Sequence, residues 1–74
     1  MPKLNPISPN KLVKIILGLW FSEIRVRWSH HFFRNQEWKT TVIPIHSDEE
    51  ISVGLLKKIL RDICLSVEEL ENLR

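Results

Sequence analysis

With 74 residues and a single cysteine, Cys64, the chain can hold one modest core but no internal disulfide and no zinc site built from cysteines. Its longest apolar run, residues 15–21, is broken by Gly18 and is far short of the ~20 residues that span a bilayer. The net charge of +2 is unevenly divided. Residues 1–40 hold seven Lys or Arg against Glu23 and Glu37, for +5, and residues 41–74 hold four against seven Asp or Glu, for −3. A basic front suggests a polyanion partner, although charge alone favours two solvated faces with no partner. After Lys3 come Asn5, Pro6, Ser8 and Pro9 rather than an apolar signal segment. The expectation is one domain over residues 1–74, soluble and cytoplasmic, in a reducing compartment.

In chain order, residues 1–7 carry two prolines and read as an extended lead-in. Ser8 followed by Pro9 starts a helix: a hydroxyl cap, then a proline whose missing N–H costs nothing in the first turn. Leu12, Ile15, Ile16 and Leu19 give one apolar stripe, and the helix is expected to end near residues 18–20. In residues 22–27, Ile24 and Val26 alternate with Glu23, Arg25 and Arg27, the pattern of a half-buried strand. Residues 30–34, rich in aromatics, give a second strand, and Asn35, Gln36 and Glu37 a polar turn. Residues 40–45 are β-branched and give a third strand, placed at a sheet edge because Pro44 cannot donate to a ladder. Residues 46–51 read as a polar loop. Ser52 caps a second helix with the stripe Leu55, Leu56, Ile59, Leu60 and Ile63, beside which Cys64 reads as small core filler. Ser66 with Glu69 three residues on is a capping box that opens a short last helix. The fold class is therefore α+β: a three-stranded antiparallel sheet with two helices on one face, in the order α-β-β-β-α plus a terminal helix.

The densest group of chemically useful side chains is Arg25, Arg27, Ser29, His30 and His31. Histidine moves protons at neutral pH, and RNA carries its own nucleophile in the 2′-hydroxyl, so base or acid catalysis suffices there without a metal. Neighbouring arginines can hold the phosphate and offset its developing charge. The same residues also fit two histidines at the start of a strand beside an exposed edge. His30, His31 and His46 have no carboxylate or cysteine at a ligand spacing, which argues against a metal site. Gly18 and Gly54 stand alone, so no phosphate-cradling glycine loop exists, and no Ser-elbow motif surrounds Ser29. No cofactor is expected.

A set of short elements, in order and over essentially the whole length, carries a resemblance. They are Lys3-Leu4-Asn5-Pro6-Ile7-Ser8, Phe21, Arg25 ahead of Ser29-His30, Val42-Ile43-Pro44-Ile45-His46, Glu50-Ile51, Gly54-Leu55-Leu56, Ile59-Leu60-Arg61 and Leu65-Ser66-Val67-Glu68-Glu69. With these the chain resembles the HicA family of toxins, small RNA-cutting partners of HicB antitoxins. The resemblance implies a double-stranded-RNA-binding-like fold, ribosome-independent cleavage of mRNA, a HicB-like antitoxin partner, and catalysis by the histidine of a Gly-Ser-His motif. That histidine is His30 here, and the resemblance gives His31 no catalytic role. Arg25, Arg27, Ser29 and Lys39 are the expected RNA contacts. The alternatives are a non-catalytic RNA-binding module of the same fold and a protein-interaction domain whose basic face meets an acidic partner.

The chain departs from the family at three positions. Trp20, Trp28 and Trp38 stand where the family usually has glycine, and they are all the tryptophans it has. Such glycines are expected to supply φ > 0 at a helix end and in turns, where tryptophan costs on the order of 1 kcal/mol or more. Either the indoles cover apolar surface or stack on RNA bases, or the three stand for glycines.

Overall fold

A computed structural model describes residues 3–74. Helix α1 (Pro9–Gly18) starts as the sequence predicts: Ser8 Oγ accepts the Lys11 N–H at 3.2 Å, Pro9 occupies the first turn, and Leu12 and Ile16 are buried. Three antiparallel strands follow, β1 (Ser22–Arg27), β2 (His30–Arg34) and β3 (Thr40–Pro44), in the spatial order β1-β2-β3. Helices α2 (Val53–Ile63) and α3 (Val67–Leu73) complete the chain. Both α1 and α2 pack against β3. The result is the α-β-β-β-α order of a double-stranded-RNA-binding-like domain, with an open sheet.

The core is built from Ile7, Leu12, Ile16, Phe21, Phe33, Ile43, Ile51, Leu56, Ile59, Leu60, Ile63 and Leu70. Ser52 caps α2 by accepting the Leu55 N–H, and its stripe buries Leu56, Ile59, Leu60 and Ile63. The capping box of α3 is complete: Ser66 Oγ accepts the Glu69 N–H, and the Glu69 carboxylate accepts the Ser66 N–H, each at 3.0 Å. The backbone bond, then the hydroxyl bond, from Ser66 hold the Glu69 carboxyl below its ordinary value.

Four features differ from the sequence expectation. All six residues of β1 are exposed, Ile24 and Val26 included, because the helices pack against β3 at the opposite edge of the sheet and leave β1 uncovered. A register shift between Glu23 and Arg25 also breaks the alternation. Ile7 and Ile51 bond each other's backbones in both directions, at 3.3 and 2.7 Å, so the two segments are joined there and both isoleucines are buried. The Arg74 guanidinium adds bonds to the carbonyls of Asn5 and Pro6. Cys64 is exposed rather than core filler, since the helix has already ended and its backbone has turned left-handed. Finally, β3 ends at Pro44, although the Ile45 N–H still donates to the Ser29 carbonyl at 2.8 Å.

One polar contact ties the sheet to the helix layer. The Thr41 hydroxyl, on a residue only 3% exposed, donates to Asp62 Oδ2 at 3.0 Å, and Lys58 Nζ reaches the same oxygen at 3.2 Å. A buried hydroxyl left without its acceptor costs about 1–3 kcal/mol. Asp62→Ala is therefore expected to destabilise the protein by that amount in urea titration, and adding Thr41→Val to recover part of the loss. A change within about 0.5 kcal/mol for Asp62→Ala would show that this bond is not a structural tie.

Candidate nucleic-acid interface

The hairpin between β1 and β2 places the central histidine. Arg27 and His30 are partners across it, so Trp28 and Ser29 form a two-residue turn. Trp28 has φ 58° and Ser29 is not left-handed, the sign pattern of a type II′ turn, which suits the right-handed twist of the flanking strands. The turn is fastened to the end of β3. The Ser29 carbonyl accepts the Ile45 N–H, and the Ser29 hydroxyl lies 3.3 Å from His46 Nε2. This puts the Ser29–Ile45 pair in the hydrogen-bonded class and His30–Pro44 in the other, where Pro44 has no N–H to offer and needs none.

Side chains alternate across a strand, and residues paired in register share a face. His31, Phe33, Thr41 and Ile43 share the face that meets the helices, with Phe33, Thr41 and Ile43 buried. Among the described residues no helix packs on the other face. Its rows are Arg27–His30–Pro44, Arg25–Phe32–Val42 and Ser22–Arg34–Thr40. The Arg25 guanidinium lies over the Phe32 ring at 5.2 Å, and Arg34 over the Trp38 ring at 4.4 Å.

The electrostatics of that face are one-sided. Among the described residues, Arg25, Arg27 and Arg34 are in no ion pair. No outward row contains a carboxylate. Glu23 is on the opposite face, where its Oε1 meets His31 Nδ1 at 2.7 Å. His30 is exposed, and among the described residues no side-chain hydrogen bond ties up its imidazole. An open basic sheet with a free imidazole and an aromatic ring suits an extended polyanion better than a small ligand, which needs a concave site.

The structure brings Arg25, Arg27 and His30 together, with Ser29 in the adjoining turn. It places Lys39 in the other hairpin, ion-paired to Glu37 at 3.4 Å. That end is roughly 13 Å away along the five residues of β2 at 3.3 Å per residue. Sequence reasoning overlooked Phe32 and Arg34, although counting in twos from His30 puts both on its face. The contact between His46 and Ser29 had no local signal. The three histidines are kept apart in role: His30 outward, His31 paired with Glu23, and His46 beside Ser29. Among the described residues no group of three His, Cys, Asp or Glu side chains is placed to hold a metal ion.

A family profile described as "HicA toxin of bacterial toxin-antitoxin" matches residues 9–65, from the first residue of α1 to just past α2. No curated protein matches the chain significantly.

The geometry makes a prediction about salt. Arg27→Gln is expected to weaken binding to a single-stranded oligonucleotide and to flatten the slope of log affinity against log salt by about 0.7, the loss of one phosphate contact. Lys57→Gln, on α2 behind the sheet, should leave the slope as it was. Equal effects of the two substitutions would mean that the polyanion does not lie on the open face.

Proposed function

The chain belongs to the HicA toxins of bacterial toxin–antitoxin systems, and from this membership we propose that it is a cytoplasmic, metal-independent endoribonuclease that cuts mRNA with His30 as general acid or base. The family carries the toxin role and a cognate antitoxin partner. What supports the cleavage chemistry is the position of His30. It stands on the open face of the sheet, paired in register with Arg27 and one row from Arg25, with no carboxylate among the outward residues.

In the proposed reaction a strand of RNA lies across β1 and β2. The 2′-hydroxyl loses its proton to a base, and the O2′–P bond forms as the P–O5′ bond breaks. The leaving O5′ takes up a proton, giving a 2′,3′-cyclic phosphate and a 5′-hydroxyl. His30 takes the first proton or gives the second, and water serves the other step. Arg27 and Arg25 offset the charge that gathers on the phosphorus oxygens. Ser29 contacts the backbone from the turn. Lys39 is far enough along the sheet to meet a neighbouring phosphate rather than the one being cut.

A second reading, an RNA-binding module without catalysis, is favoured by one observation. The indole of Trp28, 89% exposed, lies two residues before His30 at the entrance to the site. Cleavage separates the two. His30→Ala is expected to lower the cleavage rate at least about 100-fold while RNA binding persists, and EDTA to change neither. Cleavage that survives the substitution, or that EDTA removes, contradicts the mechanism.

The antitoxin is expected to cover the basic face and His30, since that surface is what must be silenced. RNA and a HicB-like antitoxin then compete for the toxin. A mobility-shift assay should show the RNA displaced as antitoxin is added, whereas a ternary complex running above the binary one would place the antitoxin elsewhere.

A further inference from the structure

We infer that positions 20, 28 and 38, written here as tryptophan, are glycine in the protein as its host makes it. The inference stands on the backbone and is independent of the ribonuclease reading.

All three tryptophans have left-handed backbone, with φ of 71°, 58° and 65°, and neither glycine does. Each occupies a different motif, and each motif favours glycine for its own reason. At the end of α1, the Trp20 N–H bonds the Leu17 carbonyl at 3.3 Å and the Phe21 N–H bonds the Ile16 carbonyl at 3.2 Å. That pair of bonds is a Schellman ending, with Trp20 at the left-handed position that glycine usually fills, and it turns Phe21 back into the core beside Ile16. Between β1 and β2, Trp28 is the first central residue of the two-residue turn, where a type II′ geometry calls for glycine. Between β2 and β3, the Trp38 N–H bonds the Asn35 carbonyl at 3.1 Å, and the Asn35 N–H bonds the Lys39 carbonyl at 3.1 Å. Asn35 Oδ1 also accepts the N–H groups of Glu37 and Lys39. This is a turn closed by a left-handed residue at a bulge, again a glycine position.

The Trp38 ring lies under the Arg34 guanidinium at 4.4 Å, a surface contact, and burial favours an indole at none of the three sites. Trp20, Trp28 and Trp38 are 85%, 89% and 73% exposed, the most exposed large apolar side chains described. The chain's own glycines, Gly18 and Gly54, lie within α1 and α2, where nothing in the backbone requires them. The remaining left-handed residues are Asp48, a type that tolerates the region, and Cys64, whose side chain is small and unbranched. Cys64 ends α2 with the same two bonds as α1, so one non-glycine in such a motif is sustained. Three of the bulkiest side chain, in three unrelated motifs, call for a common cause.

One codon supplies it. UGA is a stop in the standard code, is read as tryptophan in some bacterial codes and is read as glycine in others. If the gene has UGA at these three positions in a host that reads it as glycine, every glycine so encoded is written as tryptophan, while Gly18 and Gly54, from ordinary glycine codons, are unaffected. At position 28 the change also removes an exposed indole from beside Ser29 and His30.

The test begins with the gene. UGA at codons 20, 28 and 38 is expected, and UGG at these codons overturns the inference. The mass of the native peptides spanning these positions should match glycine, and tryptophan in the native protein overturns it equally. The backbone argument is checked by melting. In the chain as written, each of Trp20→Gly, Trp28→Gly and Trp38→Gly should raise Tm by about 4 °C or more, and the matching alanine substitutions should not. Equal gains from alanine would mean that losing an exposed indole, not relieving the backbone, is responsible, and that overturns the reading of these sites as glycine positions.

Discussion

The register between β2 and β3 is the constraint on which the rest depends. Phe33, Thr41 and Ile43 are buried under the helices, so the helix-facing side of the sheet is fixed by what those three residues gain there. Burying a side chain the size of Phe or Ile is worth about 1.5–3 kcal/mol relative to exposing it. A slip of one residue would turn the whole set outward and carry His30 inward in its place. The orientation of His30, and of Phe32 and Arg34 after it, thus follows from residues that touch no ligand. Pro44 agrees with this register, since it falls at a position where the ladder asks for no donor.

Local signals in the sequence were legible and correct. Ser8, Ser52 and Ser66 cap the three helices, the apolar stripes of α1 and α2 mark their buried sides, and the Ser66–Glu69 box forms as its spacing implies. Non-local facts were not legible. Whether the apolar side of β1 is covered depends on how far the helices reach across the sheet, which nothing within Ser22–Arg27 encodes. The pairing of Ile7 with Ile51 joins segments that each looked like loop. Cys64 followed an apolar stripe but lies beyond the last helical turn, where the backbone reverses and lifts the side chain to the surface.

The candidate site was read in part for the same reason. Its centre, Arg25, Arg27 and His30, is close in sequence because a two-residue turn joins the strands that hold it. Lys39, expected beside them as an RNA contact, belongs to the far hairpin, where Glu37 engages it. The absence of carboxylate from the outward rows is a property of three strands together, and it gives the face its sign more than the modest net charge does. Arg25, an exposed cation whose neighbour is the Phe32 ring rather than an acid, is open to phosphate.

The proposed role of His30 rests on register, not on mere proximity. His31 is adjacent in sequence yet faces the other way, against Glu23 at 2.7 Å. The most direct measurement is RNA cleavage by the His31→Ala variant beside the unchanged chain and the His30→Ala variant. His31→Ala is expected to cleave at a rate close to that of the unchanged chain. A loss in His31→Ala as deep as that in His30→Ala, with both variants folded, would contradict it.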